Sequence, residues 1–445
     1  MKKLLSTLLG TSLLAGLIQA QPTLYRLVNF VPWESDQSNP YAGLTLGDDG
    51  NFYGTTPAGN GNVGTVFQVT TSGIIKTLAT FNFTNGVNPI AGLTPGKDGN
   101  FYGTTFGYRS VSTVFQVTTN GTLTTLVYFN GTNGASPWAG LTLGNDGCFY
   151  GTTEYGGSND LGTVFQVTTN GTLTTLATFA GTNGSYPLAA LAFGNDGNLY
   201  GTTSEGGSYG DGTIFQVAMN GTLTTLAEFN YTNGSYPAAA LILGNDGNFY
   251  GTAANGGSNG FGTVFQVTTN GTLTTLANFA GTNGAFPMAA LTLADDDNFY
   301  GTAFGGGYNN GTIFRVTTNG ALTALVNFSG TNGSWPMSSL ALGNDGNFYG
   351  TTEEGGASYN GENVGVGTIF KLTVPPSINL ISLSNFVPTV SISGIARPSV
   401  QIQTTTDLLS PWSVLTNLVL FSGTNQFDDC TATNSTMRFY RVMVQ

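Results

Sequence analysis

AGLTLGNDGCFYGTTEYGGSNDLGTVFQVTTNGTLTTLATFAGTNGSYP, running from Ala139 to Pro187, is one unit of a pattern that returns along the chain at a period of roughly 50 residues. Within it Gly140 to Leu143 and Cys148 to Thr153 are short strand-like runs on either side of Gly144-Asn145-Asp146-Gly147. An Asp-Gly turn supplies a side-chain-to-backbone bond and a positive φ, so the two runs form a tight hairpin, strands A and B. Thr163 to Thr168 and Thr172 to Phe179 flank Asn170-Gly171, a second hairpin signal, and are strands C and D. Strand C is apolar on both alternating faces, as suits a sheet sandwiched between two neighbours.

Strand B returns at Tyr53, Tyr102, Tyr150, Tyr200, Tyr250, Tyr300 and Tyr349, and strand C at Phe67, Phe115, Phe165, Phe215, Phe265, Phe314 and Phe370. The last repeat stops after strand C, at Gly367 to Val374. Its missing strand stands at the other end of the chain, where Thr23 to Phe30 (TLYRLVNF) matches Ala321 to Phe328 (ALTALVNF). The expected fold is therefore all-β: a seven-bladed propeller of four-stranded blades over 21–374, closed by the N-terminal strand. Closure removes the exposed edges that an open array would leave. Pro375 and Pro376 form a linker, and the alternating runs in 377–445 read as a small C-terminal β-sandwich.

Lys2 and Lys3, an apolar run from Leu4 to Ile18 and the small Ala20 read as a signal peptide over 1–20, too short in its apolar part to span a bilayer. A secreted, periplasmic or cell-surface location is expected, without membrane insertion. Without the leader's two lysines, the 11 basic residues against 23 acidic ones become a net charge of about −14, which disfavours nucleic acid as a partner. Two cysteines, Cys148 and Cys430, make no disulfide framework and are expected to be small buried thiols.

In such a blade the D-to-A and B-to-C connections share one face, and the monotonous A-B and C-D turns share the other. The variable loops are the place for function. The B-to-C loops carry Arg109, Glu154, Asp160, Glu205, Asp211, Glu353, Glu354 and Glu362. These are either solvated loop charges or, where two carboxylates share a cleft, groups for acid-base work. Each D-to-A connection carries a proline, and Tyr186, Tyr236, Phe286 and Trp335 precede it in four successive repeats. Such an arc can stack on sugar rings, with Trp138 beside it, or each ring can pack on its own proline and the next blade. Recurring aspartates from Asp49 to Asp345 are expected to shape turns, and only Asp295-Asp296-Asp297 gathers enough charge for a cation. With no histidine in the chain, a Ser-His-Asp triad and a His-ligated metal are excluded. No cofactor is expected.

Through the recurrent Asp-Gly-Asn-Phe-Tyr-Gly-Thr, Gly-Thr-Val-Phe and Gly-Thr-Asn-Gly submotifs, residues Thr23 to Val374 resemble the GloVer tandem repeat of Gloeobacter and Verrucomicrobia. The resemblance implies a secreted or surface location and lends no activity. Gln403 to Leu408, Trp412, Phe427-Asp428 and Arg438 to Arg441 make the tail similar to immunoglobulin-like or fibronectin-like modules of secreted proteins, implying an accessory role in docking or sorting.

The expected function is that of a non-enzymatic, monomeric binding module for a polysaccharide or an extracellular protein, using Tyr186, Tyr236, Phe286, Trp335, Trp138, Glu154, Glu205 and Glu353 on the loop face. Two other classes stand beside it. Near-identical, sparsely charged repeats suit a structural envelope or matrix protein, and the loop-face acids suit a carbohydrate-active lyase or hydrolase.

Overall fold

The computed structural model describes residues 14–17, 20–30, 38–57, 63–107, 111–307, 309–357, 365–384, 387–406, 408–421, 424–431 and 437–444. Each repeat becomes one antiparallel sheet. In the third, strands A to D are Thr142–Leu143, Phe149–Thr153, Thr163–Val167 and Leu173–Thr178, hydrogen-bonded in that order. Among the described residues seven such sheets occur, numbered here as blades 1 to 7 in the order of their A strands. In blade 7 the outer strand is Thr23–Asn29, seated on Thr368–Thr373, as the shared LVNF motif requires.

Strand A is shorter than its sequence pattern. The A strands crowd the axis, where a Cβ on Gly140 would lie 2.9 Å from the Gly92 carbonyl oxygen of the preceding blade, so Gly and Ala replace larger residues there and pairing starts late. Strands B and C are buried along nearly their whole length, and strand D is half-exposed.

Two interactions repeated from blade to blade hold the ring. The strand B tyrosine stacks on a ring of the next blade, as in Tyr53–Phe101 at 4.2 Å, and Phe52–Tyr349 at 4.3 Å carries the series across the seam. The Thr two residues after that tyrosine donates to a carbonyl three residues before strand A of the next blade, Thr55 to Ala91 and onward to Thr351 with Ala42, both at 2.9 Å. The expected turn role of the aspartates is also built out: Asp146 Oδ1 accepts from the Cys148 backbone N–H, while Oδ2 accepts from the buried Tyr150 hydroxyl at 2.7 Å. Gln166 then donates to that hydroxyl at 2.7 Å. A turn aspartate thus gives a buried phenol its partner.

A second compact unit is formed mainly by 373–445. One of its sheets orders Ser377–Ser384, Val387–Ser393 and Thr424–Asp428; the other orders Leu14–Leu17, Met437–Val444, Arg397–Thr405 and Ser413–Leu420, the first pair parallel. Val390, Ile392, Val400, Ile402, Tyr440 and Val442 fill the core of this sandwich. Asp429, fully buried, accepts from Tyr440 at 2.8 Å and pairs with Arg438 at 3.1 Å. Both cysteines are free; Cys148 is half-buried and Cys430 exposed, which corrects the expectation of two buried thiols. Asp429 turns inward to its partners, so its neighbour Cys430 faces out.

Candidate functional site on the loop face

The residue before each conserved-position proline is fixed through its backbone. Its N–H donates to the B-to-C loop of the preceding blade, for Ser136 to the Ser112 hydroxyl, and in every blade but the first, where Pro57 has no N–H, its carbonyl accepts from the first residue after strand B of its own blade. Tyr186 donates to Leu161 at 3.0 Å and accepts from Ser204 at 3.1 Å; Trp335 donates to Asn310 at 3.0 Å and accepts from Glu353 at 3.1 Å. These bonds hold all seven positions in the left-handed region, from Asn39 at 52° to Trp335 at 57°. Asn tolerates that conformation, whereas a bulky aromatic residue there costs on the order of 1–3 kcal/mol.

Tyr186, Tyr236, Phe286 and Trp335 are all half-buried. Three of the rings pack on an aromatic residue of the preceding blade's B-to-C loop: Tyr186 on Tyr155 at 5.4 Å, Phe286 on Phe261 at 6.1 Å and Trp335 on Phe304 at 5.1 Å. Phe261, Phe286 and Phe304, with the backbone of Gly305 to Gly307, enclose an apolar cleft of about 420 Å³.

The residue after each proline lines the central channel. Ile90, Leu188, Met288 and Met337 do so in four blades, and Tyr41 and Trp138 put rings there in two others, around a cavity of about 140 Å³. Tyr41 meets Trp138 edge-on at 5.8 Å, and Phe106 meets Trp138 at 5.0 Å. Sequence reading had placed Trp138 with the arc and missed Tyr41. Aligning the post-proline column would have found both, since they are its only rings.

Glu154 and Glu353 occupy the same position, first after strand B, in blades 3 and 7, and Glu205 and Glu354 follow one residue later in blades 4 and 7. Glu205 is exposed; the other three are half-buried. Burial, and secondarily the charge of Glu205, raises the Glu154 carboxyl above the usual range, with a hydrogen bond from Tyr155 opposing. Its Oε2 is enclosed and has no hydrogen-bond partner. Burial also raises Glu353. The Tyr236 phenol is raised by burial and by the charges of Glu154 and Glu205, and that of Tyr41 by burial, Glu353 and Tyr236. Glu154, Glu205, Tyr236, Tyr41 and Glu353 therefore share one electrostatic neighbourhood. Arg109 and Glu362 lie outside the described residues.

Among the described residues no group of three His, Cys, Asp or Glu side chains is placed to hold a metal. In the Asp295 to Asp297 run, Asp296 takes the turn role, accepting from Asn298 and Tyr300. Asp297 sits at φ 58° where other blades have glycine, and it accepts from Asn245 at 2.7 Å.

A closed ring of near-identical four-stranded blades, with its sequence variation gathered on one face, defines a tandem-repeat β-propeller. Residues 17–195, 106–309 and 189–407 match the Gloeobacter/Verrucomicrobia repeat, and the chain belongs to that family. The sequence has no significant match among curated proteins. Similar solved structures include the BP39L lectin of Burkholderia pseudomallei, at 13% identity and a TM-score of 0.52 over 73% of this chain and 98% of the lectin. A gluconolactonase of Xanthomonas campestris is similar at 12% identity and a TM-score of 0.42, over 79% of this chain and 89% of its own. The periplasmic gluconolactonase of Pseudomonas aeruginosa reaches 17% and 0.46, over 65% and 85%. At such identities the likeness is one of fold.

Proposed function

We propose that this chain is a secreted binding module, without chemistry of its own, whose loop face takes a polysaccharide on the arc of Tyr186, Tyr236, Phe286 and Trp335. The observation that carries the reading is the backbone at those positions. Blades 1 and 2 use Asn39 and Asn88 for the same left-handed turn, so the scaffold needs no ring there. Four large aromatic residues at a φ that disfavours them are a cost that folding alone does not explain, and strain of this kind gathers at functional sites. The cleft beside Phe286 is apolar, walled by rings and floored by glycine backbone, a shape that suits the apolar face of a sugar. A lectin is among the proteins that share the architecture, so glycan recognition lies within its range.

The test is retention on insoluble polysaccharides of the parent chain beside a variant with Tyr186, Tyr236, Phe286 and Trp335 all changed to Asn, the residue that blades 1 and 2 already accommodate. Retention of the parent with loss in the folded variant supports the reading. If neither is retained, the polysaccharide reading fails and the loop face becomes a candidate surface for an extracellular protein.

A further inference from the structure

We propose that the channel mouth recognises a protonated amine, so that the glycan held by the loop face is an amino-sugar polymer; this rests on the polysaccharide reading above. Three separate features of the mouth point the same way.

The first is the pair of rings. Tyr41 and Trp138 stand edge to face over the channel cavity, with Phe106 fixing Trp138 from the side. The other post-proline positions are aliphatic or small, so the rings are local to this part of the mouth. Aromatic faces attract an ammonium group, and more strongly where water is excluded.

The second is the sign and spread of charge. Tyr236, in blade 5, lies within electrostatic reach of Glu154 and Glu205 in blades 3 and 4, and Tyr41, in blade 1, within reach of Glu353 in blade 7 and of Tyr236 itself. The backbone of Glu154 bonds to Ser136 and that of Glu353 to Trp335 and Asn39, so the acids come from loops of separate blades beside the pre-proline positions. Among the described residues no lysine or arginine forms an ion pair with any of them. A neutral sugar gains nothing from this field, and a uronic acid is repelled by it.

The third is an unfilled acceptor. Glu154 Oε2 is enclosed by protein and has no donor. Burial with an incomplete set of donors disfavours the charged form of this carboxyl, and the positive charge of an ammonium group bound at the mouth favours it. Neither an acetamide nor a hydroxyl brings the charge.

The experiment compares three oligosaccharide series with one β-1,4 backbone that differ only at carbon 2: amine (chitosan), acetamide (chitin) and hydroxyl (cellulose). Free glucosamine and N-acetylglucosamine run beside them, in slightly acidic buffer, by calorimetry. Tighter binding of the amine series by roughly tenfold or more, lost in Glu154→Gln and Glu353→Gln and weakened by salt, supports the proposal. Thermal unfolding of both variants checks that they remain folded. Equal affinity for the three series overturns the amine while leaving the polysaccharide reading standing. Binding of glucosamine with no polymer bound keeps amine recognition and overturns the polymer. Absence of binding by every probe overturns both.

Discussion

The hydroxyl of Thr351 donates to the carbonyl of Ala42 at 2.9 Å, joining residues 309 positions apart. This is the bond that every other blade makes with its successor, here made across the seam between blades 7 and 1. Deleting Thr23 to Phe30 should leave Thr368–Thr373 as a bare edge and increase self-association, read by light scattering. Thr351→Val, which takes a partner from both the Ala42 carbonyl and the buried Ser338 hydroxyl, should cost about 1–3 kcal/mol in denaturant unfolding.

Tyr150 meets Phe193 at 5.5 Å with perpendicular planes, whereas the other strand B tyrosines stack at a tilt on a strand B phenylalanine. Blade 4 has Leu199 at that phenylalanine position, and Phe193 on strand A supplies the ring instead. Phe193→Leu should cost about 1–2 kcal/mol, and Leu199→Phe alone a similar amount through overpacking. The double variant should recover most of both, which a double-mutant cycle measures. Additive losses would mean that the two positions do not share one site.

The strand B tyrosines set an alkaline limit. Burial, then the hydrogen bond to the turn aspartate, pushes Tyr53, Tyr102, Tyr200 and Tyr250 up to about 12. Because the folded chain holds these protons more tightly than the unfolded one, their contribution is complete below about pH 10 and is lost as pH rises through about 12. Ultraviolet titration should show their tyrosinate band appearing in one step with loss of the fold.

The mouth and turn carboxylates respond to acid in opposite directions. Burial raises Glu154 and Glu353, so their share of stability is present below the ordinary glutamate value of about 4.3 and lost as pH rises through the raised value. Glu154→Gln should therefore raise the melting temperature at neutral pH and leave it unchanged in acid. For Asp49, Asp98, Asp196 and Asp246 burial opposes ionisation, but hydrogen bonds from the following Asn and the strand B tyrosine outweigh it and lower the pKa. Their contribution is present above about 3.9 and lost as pH falls below it. Asp98→Ala should destabilise at neutral pH, and the difference should close in acid.

In the tail, Asp429→Ala leaves Arg438 without its carboxylate and Tyr440 without its acceptor, both against a fully buried site. A loss of about 3–5 kcal/mol from the sandwich is expected. Calorimetry on the full chain should show a smaller transition moving to lower temperature while the propeller transition keeps its place.

The four-stranded antiparallel repeat and the pairing of the N-terminal strand with the last repeat were legible in the chain alone. A 50-residue period with Asp-Gly and Asn-Gly turns at fixed offsets leaves local geometry few choices, and TLYRLVNF at the start completes the count that the last repeat leaves open. The turn role of the aspartates was legible for the same reason, because an Asx turn involves residues two apart. The channel was not. Whether the residue before or after a proline faces the axis depends on the φ of the preceding residue. All seven take a left-handed value that proline context disfavours, imposed in six of them by bonds to two different loops. Tyr41 thus came to the mouth beside Trp138, and Glu154, Glu205 and Glu353 came within reach of two tyrosines. Those groups sit in five different blades, and only closure of the ring, which turns sequence distance into angle around an axis, brings them together.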